Sequence, residues 1–96
     1  MKKVTERYVE GLMDSLKNPE EAAAYLNTAL EDGSQEVFLM ALRDVAEARG
    51  ISRIARKAKL NRENLYRVLS KKGNPQLASL RSILKSVGLE LAVEAR

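Results

Sequence analysis

Helix stop and start signals fall so close together in this chain that it can fold only as a bundle of short helices. Val4, Tyr8, Val9, Leu12, Met13 and Leu16 recur at helical spacing. Asn18-Pro19-Glu20-Glu21 then joins a capping asparagine to a proline suited to the first turn, with Glu21 at the capping-box position. That helix runs through Tyr25, Leu26 and Leu30 and stops at Asp32-Gly33. Ser34 caps a third, whose Phe38, Ala41, Leu42 and Val45 face inward until Gly50 ends it. After Gly50 the pieces shorten. Ser52 to Ala58 is barely two turns, Lys59-Leu60-Asn61 is a tight connection, and Asn61 caps a helix from Arg62 to about Ser70. Lys72-Gly73-Asn74-Pro75 reads as a loop, followed by a helix to Val87 that Gly88 terminates. Beyond it Leu89, Leu91 and Val93 lie on one side of an alternating pattern with acids on the other. This predicts a short strand, which has to pair with something.

The expected fold is therefore all-α, five to six helices with a short C-terminal β-strand. Ninety-six residues support one modest core. The only internal boundary falls near Gly33-Ser34, separating an N-terminal helical segment, 1–33, from the remainder, 34–96.

Two absences narrow the chemistry. With no cysteine and no histidine the chain lacks disulfides, thiolates, the usual zinc sites and the commonest general base. Glu20-Glu21 sits at a helix start, where acids complement the helix dipole rather than form a catalytic pair. No enzyme, cofactor or metal is expected. Met1-Lys2-Lys3-Val4-Thr5-Glu6-Arg7 runs into alternating charges rather than an apolar stretch, so it does not read as a signal peptide. No later segment is apolar enough to span a bilayer, and the expected location is the cytoplasm.

Charge is unevenly spread. Residues 1–33 hold four Lys/Arg and seven Asp/Glu, giving −3; residues 34–96 hold thirteen and six, giving +7. Between Arg49 and Lys72 nine basic residues face one acid, Glu63, giving +8. So concentrated a field suits a polyanion such as a nucleic acid.

The same stretch carries a second pattern. Two short helices crossing steeply around a tight turn need a small residue at the crossing, and Ala55 is there. Ile54, Ala58, Leu60, Leu65, Val68 and Leu69 supply the locking apolar contacts, and the other positions are mostly cationic. The pattern resembles the helix-turn-helix of the Cro and phage-repressor (XRE-like) class, which implies a lambda-repressor-like helical bundle. That class usually has glycine where this chain has Lys59, at a position often left-handed, and a non-glycine residue there costs on the order of 1 kcal/mol.

In such a motif the second helix enters the major groove of double-stranded DNA. Arg62, Asn64, Tyr66 and Arg67 are then the candidates near base edges, and the capping Asn61 is counted with them among the DNA-binding residues. Arginine can bond guanine and asparagine adenine, each pairing being worth roughly 1–3 kcal/mol of discrimination. Ser52 and Arg53 are expected at phosphate, with Arg56, Lys57, Lys59, Lys71 and Lys72 as further backbone contacts. Other uses stand beside these. Arg67 lies four residues after Glu63, close enough to pair along its own helix. Tyr66 can cover the core edge instead of meeting a base. A single module of this size makes few contacts, so a homodimer on a palindromic operator is expected, with residues 89–93 as the seam.

A wider match lies in Ala23-Ala24-Tyr25-Leu26-Asn27-Thr28-Ala29-Leu30-Glu31-Asp32-Gly33, Ala41-Leu42-Arg43-Asp44-Val45-Ala46, Leu60-Asn61-Arg62-Glu63-Asn64-Leu65-Tyr66 and Lys72-Gly73-Asn74-Pro75. Together these resemble the HigA-like addiction-module antidote family over roughly residues 15 to 93. The resemblance implies a type II antitoxin that neutralises a RelE/ParE-like toxin by direct binding and represses its own operon. Toxins of that class are commonly basic, and the acidic segment 1–33 is their natural complement. A stand-alone repressor without a toxin is the alternative.

Overall fold

A computed structural model describes the backbone of residues 4–96 and the side chains of residues 8–96. The charged leader Met1-Lys2-Lys3 and the Val4 side chain lie outside the described residues. Among the described residues six helices follow one another: α1 (Val4–Ser15), α2 (Pro19–Glu31), α3 (Gln35–Arg49), α4 (Ile51–Lys57), α5 (Arg62–Val68) and α6 (Leu77–Ser86).

Their ends are set by local chemistry. The Asn18 side chain accepts from the Glu20 and Glu21 N–H groups at 2.8 and 3.2 Å, with Pro19 as the first helical residue. The reciprocal half of the capping box is missing, because the Asn18 N–H already donates to the Ser15 carbonyl at 3.0 Å. Ser34 Oγ accepts from the Val37 N–H at 3.3 Å. Gly50, at φ +98, closes α3 and opens α4 with no residue between.

Helix α3 occupies the middle, packed against α1, α2 and α4, while α4 in turn packs on α5 and α6. The inward face of α2 carries Ala22, Leu26 and Ala29, small enough at two of three positions for close approach to α3. From α3 come Leu39, Leu42, Val45 and Ala46, and the same cluster continues through Ile54, Leu65, Leu69, Ile83 and Val87. Each of the larger aliphatic side chains contributes about 1.5–3 kcal/mol through removal from water. Polar ties reinforce the packing. Tyr25 donates to Asp44 Oδ2 at 2.7 Å between α2 and α3, and Gln35 Nε2 donates to the Gly73 carbonyl at 2.9 Å.

One expectation is corrected. Residues 89–96 form no strand, and none occurs among the described residues. The Leu89 N–H donates to the Leu84 carbonyl at 2.9 Å and Leu89 packs on the core, but the tail makes no backbone hydrogen bond after that. Alternation gives a segment the side-chain pattern of a strand; only a neighbouring backbone gives it a ladder. No described segment of this chain supplies one.

Candidate nucleic-acid interface

Helices α4 and α5 are seven residues each, too short to persist alone, and they survive by packing. Ala55, 2% exposed, lets them meet, and Leu65 is fully enclosed. The turn is held by the Leu60 N–H donating to the Ala55 carbonyl at 2.8 Å and by Ala58 donating to Ile54 at 2.9 Å. Lys59 adopts φ +60 and is the one non-glycine residue with positive φ among those described. The left-handed position that the resemblance implied is therefore present, and lysine occupies it.

Asn61 starts α5, its Oδ1 accepting from the Asn64 N–H at 2.7 Å. That oxygen is engaged in the cap, which leaves its second lone pair and the two amide N–H donors for another partner. Arg67 Nη2 donates to Asn64 Oδ1 at 2.5 Å. The ion pair with Glu63 does not form, and the asparagine and arginine side chains are aligned with one another instead. Tyr66 is half-buried against the core, with the Arg43 guanidinium 4.9 Å and that of Arg62 5.9 Å from its ring centre. Tyr66 thus covers the core edge and steadies Arg62 by cation–π attraction.

The ten candidate residues gather on one two-helix unit and the segment just beyond it. Ser52, Arg53, Arg56, Lys57, Asn61, Arg62, Arg67 and Lys71 are exposed, while Asn64 and Tyr66 are half-buried. Lys71 lies 4.0 Å from Glu36, at the start of α3. Arg53, Arg56, Lys57, Lys59 and Lys72 have no ion pair among the described residues.

Two arginines depart from the sequence reading. Arg43, on α3, joins the site through Tyr66, a contact that no local pattern announces. Arg49, counted in the basic window, turns inward: its Nε donates to the Leu16 carbonyl at 3.3 Å and its Nη2 is buried without a hydrogen-bond partner. The outward field is one charge weaker than the count implies.

The described residues contain no group of histidine, cysteine or acidic side chains that could hold a metal ion. Residues 9–95 match the model of a family described as "probable addiction module antidote protein". The chain belongs to this family. A relative from Haemophilus influenzae, described only as an uncharacterized protein, is 41% identical over 81 residues, 84% of each chain. No solved structure matches. Membership of an antidote family implies a toxin partner, and the match takes in both the acidic α1–α2 segment from Val9 and the basic α4–α5 unit of this chain. No helix among its described residues is long and apolar enough to cross a membrane.

Proposed function

We propose that the protein is the antitoxin of a type II toxin–antitoxin system, which binds operator DNA as a homodimer, represses its own operon and neutralises a RelE/ParE-like toxin by direct contact. In this reading α4, the Lys59 turn and α5 are a lambda-repressor-like helix-turn-helix. Arg62, Asn64 and Arg67 face base edges, and Arg53, Arg56, Lys57 and Lys59 neutralise phosphates. Tyr66 and Asn61 position rather than read.

The observation that carries the DNA-binding part is the set of exposed cations on α4 and its turn that pair with no acid among the described residues. Fold stability gains little from such charges, whereas DNA affinity gains from each through counterion release. Family membership carries the toxin-neutralising part.

Gel retardation with DNA from upstream of its own gene tests the first part. Replacing Arg62 and Arg67 with alanine is expected to weaken specific binding roughly 30-fold or more, at roughly 1–3 kcal/mol per lost base contact. Wild-type protein that retards no DNA at low salt rules the operator reading out. Co-expression with the product of the adjacent gene, followed by pull-down, tests the second.

A further inference from the structure

The two arginines assigned to base edges are secured in different ways. Arg67 is held from within its own helix, its Nη2 donating to Asn64 Oδ1 at 2.5 Å. Arg62 opens α5 without such a tie. Its guanidinium makes no hydrogen bond or ion pair among the described residues and lies against the Tyr66 ring, 5.9 Å from the ring centre. Tyr66 is one turn farther along α5, so the two side chains share a face. A long side chain at a helix start is then ordered only as firmly as that ring.

The ring itself is held from another helix. Tyr66 packs on the core edge, and the Arg43 guanidinium of α3 lies 4.9 Å from its centre, closer than that of Arg62. Arg43 is fixed in turn, its Nε donating to Glu47 Oε1 at 3.0 Å one turn along α3. Asp44, its neighbour in the chain, is occupied by the Tyr25 hydroxyl at 2.7 Å, which leaves Glu47 as the acid for Arg43. The charge of Arg43 is thus offset within the fold, unlike those of Arg53, Arg56, Lys57 and Lys59. A cation already paired with a carboxylate adds little to phosphate binding. A planar guanidinium set against a ring adds geometry.

We infer that Arg43 is a positioning residue for base reading: tied to Glu47, it holds the Tyr66 ring, and the ring holds the Arg62 guanidinium in one orientation before DNA arrives. Selectivity then depends on a side chain of α3 that touches neither base nor phosphate. Without it Arg62 has to be ordered during binding, which lowers operator affinity about 2- to 10-fold. The inference rests on the operator reading for what Arg62 meets, but its first test needs no DNA.

In nuclear magnetic resonance spectra of the free chain, the Arg62 Nε–H signal is expected to be displaced by the Tyr66 ring. Tyr66→Leu removes the ring and its displacement; Arg43→Ala is expected to carry the signal most of the way to the same place, with the urea midpoint nearly unchanged. A signal that either variant leaves where it stands in the wild type overturns the inference. In gel retardation, Arg43→Ala is expected to weaken operator binding about 2- to 10-fold while the salt slope keeps its wild-type value. In a chain that already carries Arg62→Ala it is expected to cost nothing further. Undiminished operator binding overturns the positioning role. A slope lower by about 0.9 also overturns it, by making Arg43 a phosphate contact, as does an equal loss in both backgrounds, by making it a general support of the fold. An Arg62 signal that moves as expected in a chain whose wild type retards no DNA leaves the positioning standing and removes only the operator reading.

Discussion

The α1–α2 segment and the α4–α5 unit are both heavily charged, yet they use charge in opposite ways. Residues 8–33 hold six acids against one base, and several of these charges are satisfied where they stand. Glu20 and Glu21 occupy the first turn of α2, where the helix dipole favours them, and Asp14 lies 3.3 Å from Lys17. Around α4 and just beyond α5 the cations oppose their own kind, and five of them pair with no acid among the described residues. Charge placed at helix starts supports the chain that carries it. Charge crowded on two short helices raises the energy of the free protein and is relieved by an outside anion. The two regions should therefore respond differently to the same kind of substitution.

The largest difference is expected between two glycines. Gly33, beside the acidic segment, needs its residue type for φ +82 but has open space around it; at Gly73, beyond α5, a Cβ would overlap the Val68 carbonyl oxygen and lie 3.0 Å from that of Ser70. Both obstacles are backbone atoms and cannot rotate away. Gly73→Ala is expected to cost about 2–3 kcal/mol in urea denaturation, the upper part of the overpacking range. Gly33→Ala should cost about 1 kcal/mol, from backbone strain alone. Equal losses would remove the steric account of the 71–76 loop.

The two capping asparagines sharpen the contrast. Asn18 and Asn61 make the same bond at the starts of α2 and α5, so either alanine variant is expected to lose about 1 kcal/mol of stability. Only Asn61→Ala should also weaken DNA retardation, since its helix is the proposed reading element. Asn18→Ala with the same loss of DNA binding would mean that the binding defect merely tracks unfolding.

These helix ends were legible in the sequence because every signal that sets them lies within one turn: Asn18 with Pro19, Ser34 after Gly33, Gly50, Asn61. The left-handed turn at Lys59 was legible through the resemblance to the Cro and phage-repressor class, which usually has glycine at that position. What stayed hidden depends on partners distant in the chain. Arg43 reaches Tyr66 and Gln35 reaches Gly73 only after α3 has packed, and Arg49 turns inward because Leu16 offers a carbonyl there. The tail misled for a related reason. Its pattern records which face is apolar and says nothing about whether a second backbone is present.

Tyr25 sharpens the comparison from the acidic side, with a smaller effect. Burial raises its hydroxyl from 10.0 to about 12, helped by the hydrogen bond to Asp44 and the negative charge of that carboxylate. The folded chain holds this proton more tightly than the unfolded chain does, so the contribution is complete below pH 10 and lost as pH rises toward 12. Tyr25→Phe is expected to cost about 0.5–1 kcal/mol near neutrality, for one half-exposed hydrogen bond. The gap between wild type and variant should close in alkaline denaturation curves. A gap that persists unchanged through that window would show that ring packing, not the hydroxyl, ties α2 to α3 there.

The smallest expected effect lies at Lys59, where the two roles of charge separate in one residue. At φ +60 a lysine carries strain on the order of 1 kcal/mol that glycine does not, while glycine gives back roughly half of it through a more flexible unfolded chain. Lys59→Gly should thus be more stable by about 0.5 kcal/mol in urea. It should also bind DNA less well at low salt, the slope of log affinity against log salt falling by about 0.9 for one lost phosphate contact. Stability and affinity move apart only if the lysine is kept for a partner rather than for the fold. A variant that gains stability while its salt slope stays at the wild-type value would mean that Lys59 touches no phosphate, and that glycine's absence from the turn has some other cause.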